Sequence, residues 1–393
     1  MSRVLLCLFA ALAGSAFAAR ADSADDGRCR EPINRNFPSA SPGDVGLSAE
    51  RLLRLNEFLE AGTYDVRGLL ILRNCKLVFE RYKEGVARDD NHTMYSVTKS
   101  ISATLVGELL YRGTLTSIDA TIADLVPKPR QLSQDDWAKA QRMTLKNVMQ
   151  MSSGITYTHD PVNNPIYALD TDRLALALSP RLVAEPGTRF NYSDGDVSIT
   201  GAVIAAAANQ TLYSFAKEAL FDPLQMYNHD WRYADRAGRY PGGWGLRLRP
   251  MDMLKIGQLY IQNGVWNGRR LFDAGFPDLA WTQGPSKRYA LHWWIGGAAE
   301  ARGTPYFLAD GVKGQKIYVF PTLHLVAAVT ASLPDAEDKT VNALVVGALT
   351  DAADHRTITG KSDAANALKE RQRRGFMGET RVFQQEQDRP RAP

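Results

Sequence analysis

Apolar residues change period twice along the chain. Leu52, Leu53, Leu55, Phe58 and Leu59 recur at the spacing of one helix face. Ser48, just before them, is suited to cap that helix. Two β-rich runs follow, Val66 to Arg73 and Lys76 to Tyr82, parted by the polar pair Asn74-Cys75, and that pattern predicts a hairpin. The first run is nearly all apolar, which suits a strand covered on both faces. A polar loop from Glu84 to Thr93 leads to Ser96. Beyond it Ile101, Leu105, Leu109 and Leu110 return to helical spacing. Helical patterns then dominate to about residue 260: Leu145 to Met151, Val197 to Ala208, Leu212 to Leu220 and Asp252 to Ile261. Pro250 precedes the last of these and Asn263-Gly264 closes it.

The final third reads as strands again, at Leu291 to Gly296, Tyr306 to Leu308, Gln315 to Phe320 and Leu325 to Ala331, with a turn at Pro321-Thr322. Asp335-Ala336-Glu337-Asp338 leads into a helix from Val341 to Ala353. Strands at both ends of the chain and helices between predict an α/β (α+β) fold. Its antiparallel sheet is built from N- and C-terminal segments and flanked by helices, with an inserted, mostly helical region at about 115–260. That domain spans 48–358. Residues 359–393 form a charged, Gln/Arg-rich tail with room for one helix.

The N-terminus reads as a targeting segment. Arg3, the short apolar run from Val4 to Phe17 and the small-x-small site Ala16-Phe17-Ala18 predict a signal peptide over 1–18, followed by a Pro-rich extended arm over 19–47. The expected location is secreted or periplasmic, with no stable membrane span after cleavage. Cys7 leaves with the signal. Cys29 and Cys75 remain, and in an oxidising compartment an even pair suggests a disulfide; two unpaired thiols are the alternative.

Composition narrows the function. With 45% hydrophobic and 23% charged residues the chain is an ordinary globular protein, and a net charge of +4 gives no basis for a nucleic-acid partner. The six histidines are scattered, no Cys/His group has metal spacing, and neither a P-loop nor a dinucleotide fingerprint is present, so no metal or other cofactor is implied. Oligomeric state has no signature here.

Candidate chemistry starts at Ser96. It sits at a helix start, where free N–H groups and the positive dipole end lie, and Lys99 follows one turn on. A serine with a neighbouring lysine has a nucleophile and a proton acceptor. Spacing alone does not decide the matter, because Ser214-x-x-Lys217 repeats it on what reads as a half-exposed helix face. Tyr192, in a polar turn before the apolar helix, could share the base role, since a cation favours phenolate. Tyr-x-Asp is equally weak alone; Tyr233-x-Asp235 repeats Tyr192-x-Asp194. No Gly-x-Ser-x-Gly elbow or histidine triad context is present.

Taken in order, these segments resemble the serine β-lactamase and penicillin-binding-protein-like hydrolases, nearest the branch with class C β-lactamases, EstB-type esterases and 6-aminohexanoate-dimer hydrolase. The resemblance covers about 45–355. It rests on Tyr95-Ser96-Val97-Thr98-Lys99, on the block Thr144 to Ile155 containing Ser152-Ser153-Gly154, and on Pro186-Gly187-Thr188-Arg189-Phe190-Asn191-Tyr192-Ser193-Asp194. Gly243-Trp244-Gly245-Leu246 with Asp252, Gly264 to Gly268, and Gly311 to Pro321 complete the set. The resemblance implies Ser96 as acylated nucleophile, Lys99 as its proton acceptor and Tyr192 as general base and acid. It also implies an oxyanion hole from the backbone N–H groups of Ser96 and of a residue near Val312, after Gly311.

Two departures bear on substrate. The family's Tyr-x-Asn is Tyr192-x-Asp194 here, and a carboxylate near Lys99 favours the ammonium and opposes its use as a base. The third motif, a cation or imidazole then a small residue and Gly, reads Ala309-Asp310-Gly311, which speaks against strong binding of a β-lactam carboxylate. Lys313 either compensates or is a surface residue. The Trp293-Trp294 pair is either core or pocket wall. The resemblance implies a hydrolase for a small amide or ester, with β-lactamase or D-peptidase activity within the family's range. A non-catalytic binding or regulatory module that keeps the fold is the alternative.

Overall fold

The computed structural model describes residues 27–354 and 362–376. The expected signal segment at 1–18 and the end of the tail lie outside them. In chain order the elements that frame the site are α1 (Ala49–Glu60), β1 (Val66–Arg73), β2 (Lys76–Tyr82), α2 (Val97–Arg112), α3 (Asp194–Ala208) and α4 (Pro250–Ile261). They continue with β3 (Trp294–Ile295), β4 (Phe307–Gly311), β5 (Gln315–Phe320), β6 (Leu325–Ala331), α5 (Asp335–Ala353) and α6 (Ser362–Phe376).

The six strands form one antiparallel sheet in the order β2-β1-β6-β5-β4-β3, so the first hairpin pairs directly with the last strand. Asn74 and Cys75 both take positive φ, 49° and 59°, the backbone that a tight two-residue hairpin needs. Alternate residues of β1 enter two separate cores. Leu70 and Leu72 face α2, α4 and the helical region, while Leu69 and Ile71 face α1 and α5. This double coverage is why β1 is apolar at nearly every position.

Element edges differ from the sequence reading where caps or neighbours decide them. Ser48 caps α1, its Oγ accepting from Arg51 N at 3.4 Å. α3 begins at Asp194 rather than Val197, because Ser193 Oγ caps it and the polar residues Asp194 and Asp196 are buried in its first turn. The expected strand from Leu291 shrinks to Trp294–Ile295. The helical stretch is interrupted by a small sheet of His92–Thr93, Leu246–Leu248 and Asp230–Trp231, in strands too short to carry a period. Of the tryptophan pair, Trp293 is core and Trp294 is half-buried against Tyr192.

Cys29 and Cys75 form a disulfide that closes a separation of 46 residues and ties the arm to the β1–β2 turn. Beyond it the arm is stapled by paired bonds between Ile33 and the Asn267 side chain, both 2.7 Å. In the tail, α6 lays the buried Leu368 against the core under α1, and Arg371 pairs with Glu57 and Glu60.

Candidate active site

α2 places the nucleophile motif. Ser96 is its N-cap and Lys99 lies one turn on, with its ammonium 2.9 Å from Ser96 Oγ. The Lys99 side chain is only 2% exposed, so its charge must be met inside the protein. Asp194 meets it: Lys99 Nζ donates to Asp194 Oδ1 at 2.6 Å and to the carbonyl of Gly243 at 3.4 Å. A Cβ on Gly243 would stand 2.3 Å from Val197 Cγ1 and 3.1 Å from Lys99 Nζ, so this backbone closes over the lysine only as glycine.

Tyr192 is brought to the same point. The Lys99 ammonium lies 4.8 Å from the centre of its ring, and Trp294 stacks on it at 5.6 Å. The block around Ser152-Ser153-Gly154 holds this loop in place. Asn191 N donates to Met151 O at 2.8 Å, Gly187 N to Ser152 O at 2.8 Å, and Ser153 Oγ to the buried Asp196 at 2.7 Å.

Gly311 brings β4 to Ser96. A Cβ there would lie 2.5 Å from Met94 O and 3.3 Å from Ser96 N. The chain therefore passes the Ser96 backbone amide and turns at the half-exposed Val312. Asp310 is not part of this arrangement. Ala309 and Ile317 face the core on the Ser96 side, whereas Leu308 and Tyr318 face the other core. The two-residue period of a strand therefore turns Asp310 away from Ser96. It pairs there with Lys316 at 2.5 Å, and Lys316 also reaches Asp338 of α5 at 3.0 Å. The expectation that Asp310 shapes the substrate site is corrected by strand parity. Lys313 is exposed, its ammonium 5.6 Å from the Tyr95 ring centre.

Three residues that the sequence did not single out surround Asp194. Tyr167 donates to Asp194 Oδ2 at 2.5 Å and Tyr157 to the same oxygen at 3.3 Å, while His159 Nδ1 lies 3.7 Å away. They come from the loop after Gly154, and only their polar-aromatic character could have drawn attention to them.

The charges are strongly coupled. Burial would raise the Asp194 carboxyl, but Lys99, His159 and Tyr167 together hold it well below the usual carboxylate range. Burial would lower Lys99, but Asp194 and then Tyr192 raise it above its ordinary value. The Tyr192 phenol is raised by burial and by Asp194, against the pull of Lys99. At neutral pH the resting site is thus ammonium, carboxylate and phenol. Among the described residues no His/Cys/Asp/Glu cluster could hold a metal ion, and no helix is long and apolar enough to cross a membrane.

Comparison with known proteins identifies the family and the fold. The family model described as Beta-lactamase matches residues 57–350. The 6-aminohexanoate-dimer hydrolase of Paenarthrobacter ureafaciens is 23% identical over 331 residues, covering 77% of this chain and 81% of that one. Among solved structures, a provisionally assigned 6-aminohexanoate-dimer hydrolase from Bacillus anthracis superposes with a TM-score of 0.66 at 20% identity, over 83% of this chain and 89% of that one. The octameric penicillin-binding protein homologue from Pyrococcus abyssi does so with a TM-score of 0.57 at 17% identity, over 76% and 77%. With Ser-x-x-Lys, the tyrosine loop and the Gly311 strand converging inside a family match over most of its length, the chain belongs to the Beta-lactamase family of serine hydrolases and has the β-lactamase/penicillin-binding-protein fold.

Proposed function

We propose that this protein is an exported serine hydrolase that cleaves a small amide or ester through an acyl-Ser96 intermediate. The observation that carries the reading is the 2.9 Å bond between Lys99 and Ser96 Oγ at a helix N-terminus, inside a buried charge pair. Ser96 Oγ attacks the carbonyl and its proton passes to the Lys99–Tyr192 pair. The oxyanion is met by the backbone amides of Ser96 and Val312, and the leaving group takes its proton from Tyr192. Water then attacks acyl-Ser96 by the reverse proton path. No metal or organic cofactor takes part in these steps. The 6-aminohexanoate-dimer hydrolase relative points towards linear amides. Ala309, where the third motif of β-lactamases has a cation, points away from β-lactams.

Because both Lys99 and Tyr192 are held above their ordinary values, a proton must leave the site before Ser96 can be deprotonated, and activity rises with pH. A matched set of p-nitrophenyl esters, p-nitroanilides and nitrocefin tests the reading. Ester or anilide turnover that Ser96→Ala abolishes supports it; turnover that survives the substitution sinks it. One observation favours a non-catalytic module instead: Asp194 holds Lys99 as an ammonium, the wrong form for a base. Folded wild-type protein inert towards every ester and amide would support that second reading.

A further inference from the structure

The hydrogen bonds around Asp194 do not end in the interior. Tyr167 OH, which donates to Asp194 Oδ2, is 3.2 Å from His159 Nδ1 and 2.8 Å from Tyr157 OH. The His159 ring stands edge-on to Tyr167 at 90°, and its side chain is 61% exposed. A continuous polar path therefore runs from Ser96 Oγ through Lys99, Asp194 and Tyr167 to an imidazole in water.

We propose that His159 is a positioning residue for the acylation step, acting through Tyr167 and Asp194 to set how firmly Asp194 holds the Lys99 ammonium. The inference rests on the acyl-Ser96 reading and adds a residue that no motif of this chain contains. The groups facing His159 are Asp194 from α3, Lys99 behind it on α2, Tyr167, and Tyr157 and Asp160 of its own loop. When His159 is neutral, the Asp194 charge acts on Lys99 undiluted and the ammonium is held firmly. When His159 takes a proton from water, its charge competes for Asp194 and repels Lys99, so Lys99 gives up its proton more easily. The two ionisations are linked, and each must shift the other by the same amount. Asp194 in turn raises the His159 imidazole from its ordinary value, which favours the imidazolium in mild acid. Acylation is thereby protected against acid: as pH falls, the imidazolium loosens the grip that would otherwise silence Lys99.

The test follows fluorophosphonate inactivation of wild type and His159→Gln across pH, an exposed substitution that leaves the core untouched. The variant is expected to react roughly three- to tenfold more slowly than wild type at about pH 6 and equally fast at about pH 9. Superimposable profiles with normal wild-type labelling overturn the role of His159 and leave the acyl-enzyme reading standing. A wild type that is never labelled overturns both. NMR titration gives the reciprocal measurement: the His159 imidazole should titrate above 6.5 in wild type and fall towards 6.5 in Asp194→Asn. An unchanged midpoint in that variant contradicts the coupling.

Discussion

Two Ser-x-x-Lys turns in this chain have the same spacing and different fates. In Ser214-x-x-Lys217 both side chains are exposed. Ser214 shares the cap of a short helix with Thr211, and Lys217 bonds the exposed Asp222 at 2.7 Å. Water can solvate that lysine whatever its partner does, and nothing ties it to its serine. In Ser96-x-x-Lys99 the lysine is buried, the carboxylate beside it is buried, and the serine is the only one of the three near the surface. Spacing creates a pair of neighbours; burial makes their protonation depend on one another.

The largest contrast is in activity. Ser96→Ala and Lys99→Met should each lower ester hydrolysis by about 10³-fold or more, while Ser214→Ala and Lys217→Met leave kcat/KM within about twofold in a steady-state assay. Comparable losses at both sites would erase the distinction. Stability should separate the pairs next. Removing Lys99 leaves Asp194 buried and uncompensated, which costs about 3–5 kcal/mol in urea unfolding. Lys217→Met costs no more than about 0.5 kcal/mol.

Gly311→Ala probes the same corner from the strand side. The added Cβ must push against Met94 O, 2.5 Å away, and displace β4 from Ser96. Acylation should fall by about 10²-fold in a stopped-flow burst while the circular dichroism of the fold persists. Wild-type acylation would contradict the placement of the oxyanion hole.

Two carboxylates two residues apart give opposite pH signatures. Asp194 is depressed in the folded state, so its contribution to stability is present above 3.8 and lost as pH falls through its lower folded value. Asp196 is pushed up by burial to about 7, despite the bond from Ser153. Its contribution is full below 3.8 and lost as pH rises through about 7. Thermal melts should therefore show wild type losing stability between about pH 4 and pH 8 relative to Asp196→Asn; parallel curves would contradict the raised carboxyl. The weakest effect on activity is expected at the far end of the sheet. Reducing the Cys29–Cys75 bridge should cost about 2–5 kcal/mol without changing kcat, because the bridge ties the arm and touches none of the charged group.

Strands β1, β5 and β6 were legible in the sequence because they are long and largely apolar, and the β1–β2 hairpin because of its tight turn at Asn74-Cys75. The Ser96–Lys99 turn and the Tyr192 loop that the structure brings together were legible because each belongs to a motif local in sequence. The environment of Asp194 was not. Tyr157, His159 and Tyr167 reach it from a loop with no period and no spacing to Ser96, and their meeting depends on tertiary packing alone. Asp310 shows the opposite failure. Its motif position pointed to the site, but the parity of β4 turns its side chain to the other face, where Lys316 neutralises it.

Hydrolysis by this route requires that Ser96 becomes acylated. Intact-mass spectrometry after exposure to a fluorophosphonate, followed by peptide mapping, tests it most directly. One adduct per chain is expected, on the peptide bearing Ser96, absent in Ser96→Ala and formed faster as pH rises. An adduct on Ser214, or one that Ser96→Ala leaves undiminished, would rule out Ser96 as the acylated residue.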